Sequence, residues 1–111
     1  MKNTICFLLL LASITLQAQT KSYNNESISW NHSWIVKSTP AQNLPNVLLI
    51  GDSHVERYYP VVTNILKDKA VVSKITTSLS MGDPTLLPQL AGLLAGHKFD
   101  YIFFNNGLHG V

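Results

Sequence analysis

Three short apolar runs constrain the fold of this 111-residue chain more than any other feature. They are VLLI at 47–50, AVVSKI at 70–75 and YIFF at 101–104, and a segment of helical length separates each run from the next. Short apolar runs rich in β-branched and aromatic residues are typical of buried strands. Right-handed crossovers then place the strands side by side in one direction, so the sequence predicts an α/β fold with a parallel sheet.

Both connecting segments carry apolar residues at helical spacing. In the first, Pro60 is predicted to open the regular helix, and the apolar stripe consists of Val55, Tyr58, Tyr59, Val62, Ile65 and Leu66. In the second, Asp83 and Pro84 are predicted to form the cap and first turn, with the end near Gly96, and the stripe consists of Leu86, Leu87, Leu90, Leu93 and Leu94. These stripes predict two helices that pack on the sheet.

Residues 1–18 are predicted to be a cleaved signal peptide. Lys2 precedes an apolar run from Ile5 to Leu11, and Ala18 supplies the small residue before the cleavage point. The run is too short to span a bilayer, which disfavours the alternative of an uncleaved membrane anchor. The mature chain is therefore predicted to be periplasmic or secreted, without membrane association after cleavage.

Composition excludes several classes of site. Cys6, the only cysteine, lies in the signal peptide, so the mature chain is predicted to hold no disulfide and no metal site built on thiolate. No other metal and no cofactor is predicted. The formal net charge is only +2, which leaves no basic face to neutralise a run of phosphates. Nucleic acid is therefore not a predicted partner.

Residues 19–45 form a polar, turn-rich segment that is predicted to be an extended lead-in to the domain at 46–111. Trp30 and Trp34 are the exceptions to its polar composition. Two interpretations of these rings stay open. They anchor the lead-in on the domain, or they form a platform on which a sugar ring stacks.

The three predicted strands are followed by the loops GDSH, SLSMGD and NNGLHG. Each loop places a glycine beside a hydroxyl, an amide or an imidazole. The carboxyl ends of parallel strands lie at one edge of the sheet, where open α/β sheets bind their ligands. The sequence therefore predicts a functional site built from these three loops.

Ser53 is the candidate nucleophile of this site. It follows an apolar strand directly, and the start of the helix behind it favours the negative charge that develops in acyl transfer. Gly51 permits the tight turn, and Asp52 is expected to hold it by accepting hydrogen bonds from nearby backbone amides. The alternative is an ordinary Asx-type turn in which Ser53 only caps the helix.

Taken together, the three loops resemble the conserved blocks of the SGNH, or GDSL-type, serine hydrolases. IGDSH resembles the first block, in which Ser53 would be the nucleophile and would donate its backbone N–H to the oxyanion hole. SMGDP resembles the second block, in which Gly82 would supply another backbone donor. The third block reads Gly-x-Asn in the family, and His109 stands here where asparagine is usual, so His109, Asn106 or Asn105 would supply the side-chain donor.

The resemblance covers about residues 28–111 and implies a three-layer α/β/α, flavodoxin-like sheet. It also implies an exported esterase that hydrolyses a small-molecule or carbohydrate acyl ester, with an acetyl group on a sugar as the expected case. The alternatives are a non-catalytic module that binds a glycan and an inactive truncation product. Neither the substrate nor the oligomeric state follows from the sequence.

The fourth element of the family, Asp-x-x-His, is absent from these 111 residues. In the family this histidine is the general base, and His109 is the one imidazole that the predicted topology places at the correct edge to replace it. The sequence also ends directly after the third strand, and a strand as apolar as YIFF is expected to leave an open edge. The chain is therefore interpreted as an N-terminal portion, truncated after the third strand and inactive alone.

Overall fold

A mixed α/β fold with a four-stranded sheet and two α-helices is seen in the computed structural model, which describes residues 27–107. The strands are β1 (Asn31–Trp34), β2 (Asn46–Gly51), β3 (Val71–Thr77) and β4 (Tyr101–Asn105). The helices are α1 (Ser53–Leu66) and α2 (Leu86–Leu94), with a short 3-10 helix at Pro40–Gln42. The predicted signal peptide at 1–18 lies outside the described residues.

The strands follow the order β1-β3-β2-β4 across the sheet. β2 runs parallel to both β3 and β4, which confirms the three strands expected from the apolar runs. The prediction of a wholly parallel sheet is wrong, because the lead-in contributes β1, which pairs antiparallel with β3. β1 has the sequence NHSW and lies mostly exposed at the edge, so no buried apolar face marks it in the sequence.

One helix packs on each face of the sheet. Successive side chains of β2 alternate between the two faces, as the pleat of a strand requires. One face joins α2 and contains Leu48, Ile50, Ile75, Leu86 and Leu90. The other face joins α1 and contains Val47, Leu49, Val55 and Val72. The predicted helical stripes therefore form the core, except that Ile65 and Leu87 are exposed.

Pro60 lies inside α1 rather than at its start, so that prediction is wrong. A proline in a helix interior cannot donate a backbone hydrogen bond to the carbonyl four residues earlier, here that of Glu56. Pro60 is exposed, so the carbonyl freed in this way can bind water instead. Burial of Val55, Tyr59 and Val62 on the sheet side favours the helix on both sides of the proline.

The end of α2 near Gly96 is as predicted, but the predicted start is wrong, because the helix begins at Leu86 and Pro84 precedes it instead of forming its first turn. The Asp83 carboxylate accepts hydrogen bonds from the backbone amide and the hydroxyl of Thr85, at 2.8 and 2.6 Å. Thr85 rather than Asp83 is the N-cap residue itself. Gly96 follows the helix with a φ of 78°, a left-handed conformation that favours glycine.

β4 is the open edge of the sheet within the described residues. It pairs with β2 on one side, while the side chains of Tyr101, Ile102, Phe103 and Phe104 remain 43–60% exposed. Between β4 and α1 lies an apolar groove of about 290 Å³, lined by Val47, Leu49, Tyr58, Val62, Leu66 and Phe103. The expectation of an uncovered third strand is thereby confirmed.

Candidate active site

The carboxyl ends of β2, β3 and β4 lie side by side. Gly51, the last residue of β2, is in register with Thr76 of β3 on one side and with Asn105 of β4 on the other. The helices that connect these strands leave on opposite faces of the sheet. Diverging connections open a crevice at the strand ends, which is where α/β sheets bind ligands. The described parts of the three predicted loops therefore meet at one edge.

Gly51 allows the first and third loops to touch through their backbones. A Cβ atom at this position would lie 2.0 Å from the Asn105 carbonyl oxygen and 2.3 Å from Cγ2 of Val55. Real Cβ atoms do not approach other heavy atoms so closely, so only glycine fits between β4 and α1. The glycine of the GDS motif is thus required by packing at the site.

Asp52 holds the start of α1 in the way the sequence predicts. Its side chain is fully buried and accepts a hydrogen bond of 2.9 Å from the backbone amide of His54. Asp52 is the N-cap residue, so the alternative in which Ser53 caps the helix is wrong. Ser53 is instead the first residue of α1 and is half-buried. Within residues 27–107, its hydroxyl takes part in no side-chain hydrogen bond, which leaves it available to a ligand.

Asn106 ties the third loop to the second. Its side chain is 4% exposed, and its amide nitrogen donates a hydrogen bond of 2.9 Å to the carbonyl oxygen of Leu79. The amide oxygen is buried without a hydrogen-bond partner among the described residues. One amide hydrogen is therefore committed to Leu79, so the predicted oxyanion role of Asn106 depends on the second hydrogen.

The other predicted oxyanion donors are Gly82, Asn105 and His109. Gly82 is exposed in a turn in which the Asp83 amide donates to the Ser80 carbonyl at 3.1 Å. Asn105 ends β4 and is exposed. His109, the other side-chain donor and the expected substitute base, lies outside the described residues.

A polar cluster next to this site was not predicted from the sequence. Glu56 lies one helical turn after Ser53, and its carboxylate accepts hydrogen bonds from the Lys74 ammonium and the Thr76 hydroxyl. The His32 Nδ1 atom of β1 lies 3.5 Å from the same carboxylate. Helical spacing places Glu56 on the sheet side of α1, but its contact with His32 could be found only once β1 was known to pair with β3.

The Glu56 carboxyl is held ionised by its partners. Burial alone would raise its pKa, but the hydrogen bonds from Lys74 and Thr76, together with the charges of Lys74 and His32, outweigh burial and lower the pKa below its ordinary 4.5. Tyr59 shows the opposite shift, because burial and the nearby Glu56 charge raise the pKa of its hydroxyl. That hydroxyl donates to the Val72 carbonyl at 2.9 Å.

Glu56→Gln is expected to destabilise the fold at neutral pH by about 1 kcal/mol, because Lys74 loses its charged partner. A folded-state pKa below the ordinary value contributes stability that is present above pH 4.5 and is lost as the pH falls through the folded value. Urea unfolding of both proteins across this range should therefore give curves that converge in acid. A constant difference at all pH values would contradict the ionic role.

The other described histidines, His54 and His97, form no hydrogen bond with the Ser53 hydroxyl. His54 is exposed on the first turn of α1, and His97 packs near Phe99 beyond the end of α2, with ring centroids 6.4 Å apart. Two cavities lie near the amino end of β2, and Asn46 lines both of them. His97 borders the cavity of about 470 Å³, and Ser38 borders the cavity of about 430 Å³. These cavities lie at the sheet edge opposite the candidate site.

No protein-family model matches this chain, and no curated protein matches it. Residues 27–107 include no group of three or more histidine, cysteine, aspartate or glutamate side chains that could hold a metal ion. The helices in that part of the chain are also too short or too polar to cross a membrane.

Proposed function

We propose that this chain carries the nucleophile of an exported serine ester hydrolase of the SGNH type. The observation that supports this most directly is the environment of Ser53. Its hydroxyl lies at the start of α1 and forms no hydrogen bond within residues 27–107, while Asp52 performs the capping. A serine in this position would attack a bound carbonyl while the helix start stabilises negative charge.

The strand order favours the finer fold assignment as well. Without the antiparallel β1, the parallel strands follow the order β3-β2-β4, which is 2-1-3 in order of appearance. That order begins the flavodoxin-like arrangement, whose ligands bind between the first and third strands. Ser53 follows the first of these strands and Asn106 the third, so both residues would border that position. We therefore assign the sheet to a three-layer, flavodoxin-like domain.

In the proposed reaction, the Ser53 oxygen forms a bond to the ester carbonyl carbon as its proton passes to a base. The carbonyl electron pair moves onto oxygen, and this oxyanion would accept hydrogen bonds from the amides of Ser53 and Gly82 and from the third loop. Collapse of the intermediate expels the alcohol, which takes the proton from the base. Water then attacks the acyl-serine in the same way and releases the carboxylic acid.

The general base is the remaining requirement of this reaction. No described histidine forms a hydrogen bond with the Ser53 hydroxyl, and His109 is the imidazole that the sequence places after β4 at the same edge. The assignment of an exported enzyme rests on the predicted signal at 1–18, and that of an acetylated carbohydrate on the resemblance alone.

Covalent labelling tests the proposal on the full gene product. A fluorophosphonate reacts with a serine only where a base activates it and an oxyanion site receives the developing charge. We expect one phosphonate per chain, located by peptide mass spectrometry on Ser53, with a parallel loss of aryl acetate hydrolysis. Ser38, an exposed serine at the opposite edge of the sheet, serves as the internal control and should remain unlabelled. Hydrolysis that survives full labelling of Ser53 would refute the assignment.

A further inference from the structure

Three aromatic side chains lie on one face of the sheet, two of them in β1 and the third, Trp30, directly before it. The Asn31 amide donates to Gln89 of α2 at 3.1 Å, whereas His32 contacts Glu56 of α1. Because strand residues alternate between faces, Trp30, His32 and Trp34 share the α1 side. The ring centroids of Trp30 and His32 are 5.3 Å apart, in agreement with this placement. We refer to these three residues as the β1 aromatic row.

The row is not part of the hydrophobic core. Neither core cluster of the described residues includes Trp30 or Trp34, and Trp34 is 64% exposed. The side chain of His32 is 61% exposed. Trp30 is half-buried, whereas the rings of His32 and Trp34 lie largely in water, where they add little to stability, and such exposed aromatic groups mark binding surfaces. The anchor interpretation of the tryptophans is therefore wrong for Trp34.

One end of the row lies at the edge that holds Ser53. The Trp30 amide donates to the Ser78 hydroxyl at 2.8 Å, and the Ser78 amide donates to the Trp30 carbonyl at 3.1 Å. Ser78 begins the second loop of the candidate site. Trp30 and Gly51 are separated by two strand spacings, or about 10 Å of sheet. A ligand that reaches from Ser53 to the row must therefore be longer than a simple alcohol.

Charged groups lie beside the rings. Trp34 is in register with Lys74 and His32 with Thr76, while Glu56 accepts hydrogen bonds from both Lys74 and Thr76. A pyranose has an apolar face of C–H bonds and an edge of hydroxyls, so it can stack on a ring while its hydroxyls bind an adjacent carboxylate. A lipid chain would instead have to desolvate this ion pair without replacing its hydrogen bonds.

We propose that the β1 aromatic row is the subsite for the carbohydrate part of the ester, so that the substrate is an acylated oligosaccharide. This inference rests on the proposed esterase function for its acyl part only. Ser53 would attack the acyl group at the strand ends while one or more sugar rings lie along β1 toward Trp34. Trp34 is then a binding residue, distant from the reacting atoms.

Kinetics on two substrates test this subsite in the full gene product. Trp34→Ala is expected to lower kcat/KM about tenfold for an acetylated xylo-oligosaccharide, through KM, and to leave hydrolysis of an aryl acetate unchanged. Trp34→Phe retains a ring and should keep most of the activity. Leu87→Ala, which truncates a 75% exposed side chain on α2, is the matched control and should change neither substrate. Equal effects of Trp34→Ala on both substrates would overturn the proposal.

Direct binding separates this inference from the esterase assignment. Titration of the Ser53→Ala variant with acetylated and unacetylated oligosaccharides of several linkages should quench tryptophan fluorescence, and Trp34→Ala should abolish the change. If Ser53→Ala retains full activity, the esterase function is refuted. Oligosaccharide binding that persists in that case would still support the row. Failure to bind any oligosaccharide, or a preference for peptides or lipid vesicles, would refute the row.

Discussion

Ser53→Ala is expected to lower kcat/KM for any hydrolysed ester at least about a thousandfold, or roughly 4 kcal/mol of transition-state stabilisation. The loss should appear in kcat, because the oxygen that forms the acyl intermediate is removed while the crevice is left in place. The fold should be unaffected, because Asp52 caps α1 and the Ser53 hydroxyl forms no hydrogen bond in the part of the chain that the structure describes. We expect the free energy of unfolding to change by no more than about 0.5 kcal/mol.

Ser38→Ala makes the same chemical change at the other end of the sheet. Ser38 is exposed and lines the cavities near the amino end of β2, so this variant should retain full activity. Both variants are to be assayed with initial rates and with urea unfolding followed by circular dichroism. Undiminished turnover in Ser53→Ala would exclude the nucleophile role, and equal losses in both variants would indicate a general defect.

The three parallel strands could be predicted because each contains a short run rich in apolar residues, and the central strand β2 is buried between the two helices. In β2, Val47 and Leu49 face α1 while Leu48 and Ile50 face α2, so no polar alternation interrupts the run. A run of this kind can be recognised in the sequence without knowledge of which strands lie beside it. The same burial made the apolar stripes of both helices predictable.

β1 and the course of α1 could not be predicted, because in both cases tertiary structure overrides the local signal. β1 is mostly exposed and joins the sheet through backbone hydrogen bonds, so its only sequence signal is the short alternation of Trp30, His32 and Trp34 within a polar segment. Pro60 is an unfavourable residue inside a helix, yet the packing of α1 on β2 and β3 offsets the lost backbone hydrogen bond.

The candidate site likewise has parts that the sequence predicts and parts that it does not. The positions of Gly51, Asp52 and Ser53 follow from a motif that directly continues a buried strand, and topology brings the other loops to the same edge. The contact of Glu56 with His32 depends on a strand that the sequence does not reveal. Side-chain partners that belong to three different elements require the register of the sheet, which no local pattern contains.

Gly51→Ala is expected to cause the largest loss of stability of any single methyl added to this chain, about 3 kcal/mol or more. The new Cβ would lie 2.0 Å from the Asn105 carbonyl oxygen, which is backbone and cannot rotate away as a side chain could. Relief requires β4 to separate from β2 at the strand ends. Urea unfolding should show either a large shift of the midpoint or no cooperative transition.

Gly92→Ala is the matched control, with an expected effect of opposite sign. Gly92 lies inside α2, and a Cβ there would meet no heavy atom within 4 Å. Alanine is the better helix former, so this variant should gain about 0.5–1 kcal/mol. Similar small effects at both positions would contradict the close approach of β2 and β4.

Even if the Gly51→Ala variant still folds, we expect its enzymatic activity to be lower. The displaced carbonyl belongs to Asn105, and the next residue, Asn106, holds the third loop against Leu79 of the second. Movement of β4 would therefore shift the oxyanion donors relative to Ser53, and a displacement of about 1 Å suffices for a hundredfold loss of rate. Adding Gly92→Ala should return only about 0.5–1 kcal/mol of the lost stability and leave kcat low, because it does not relieve the clash of the new Cβ atom with Asn105.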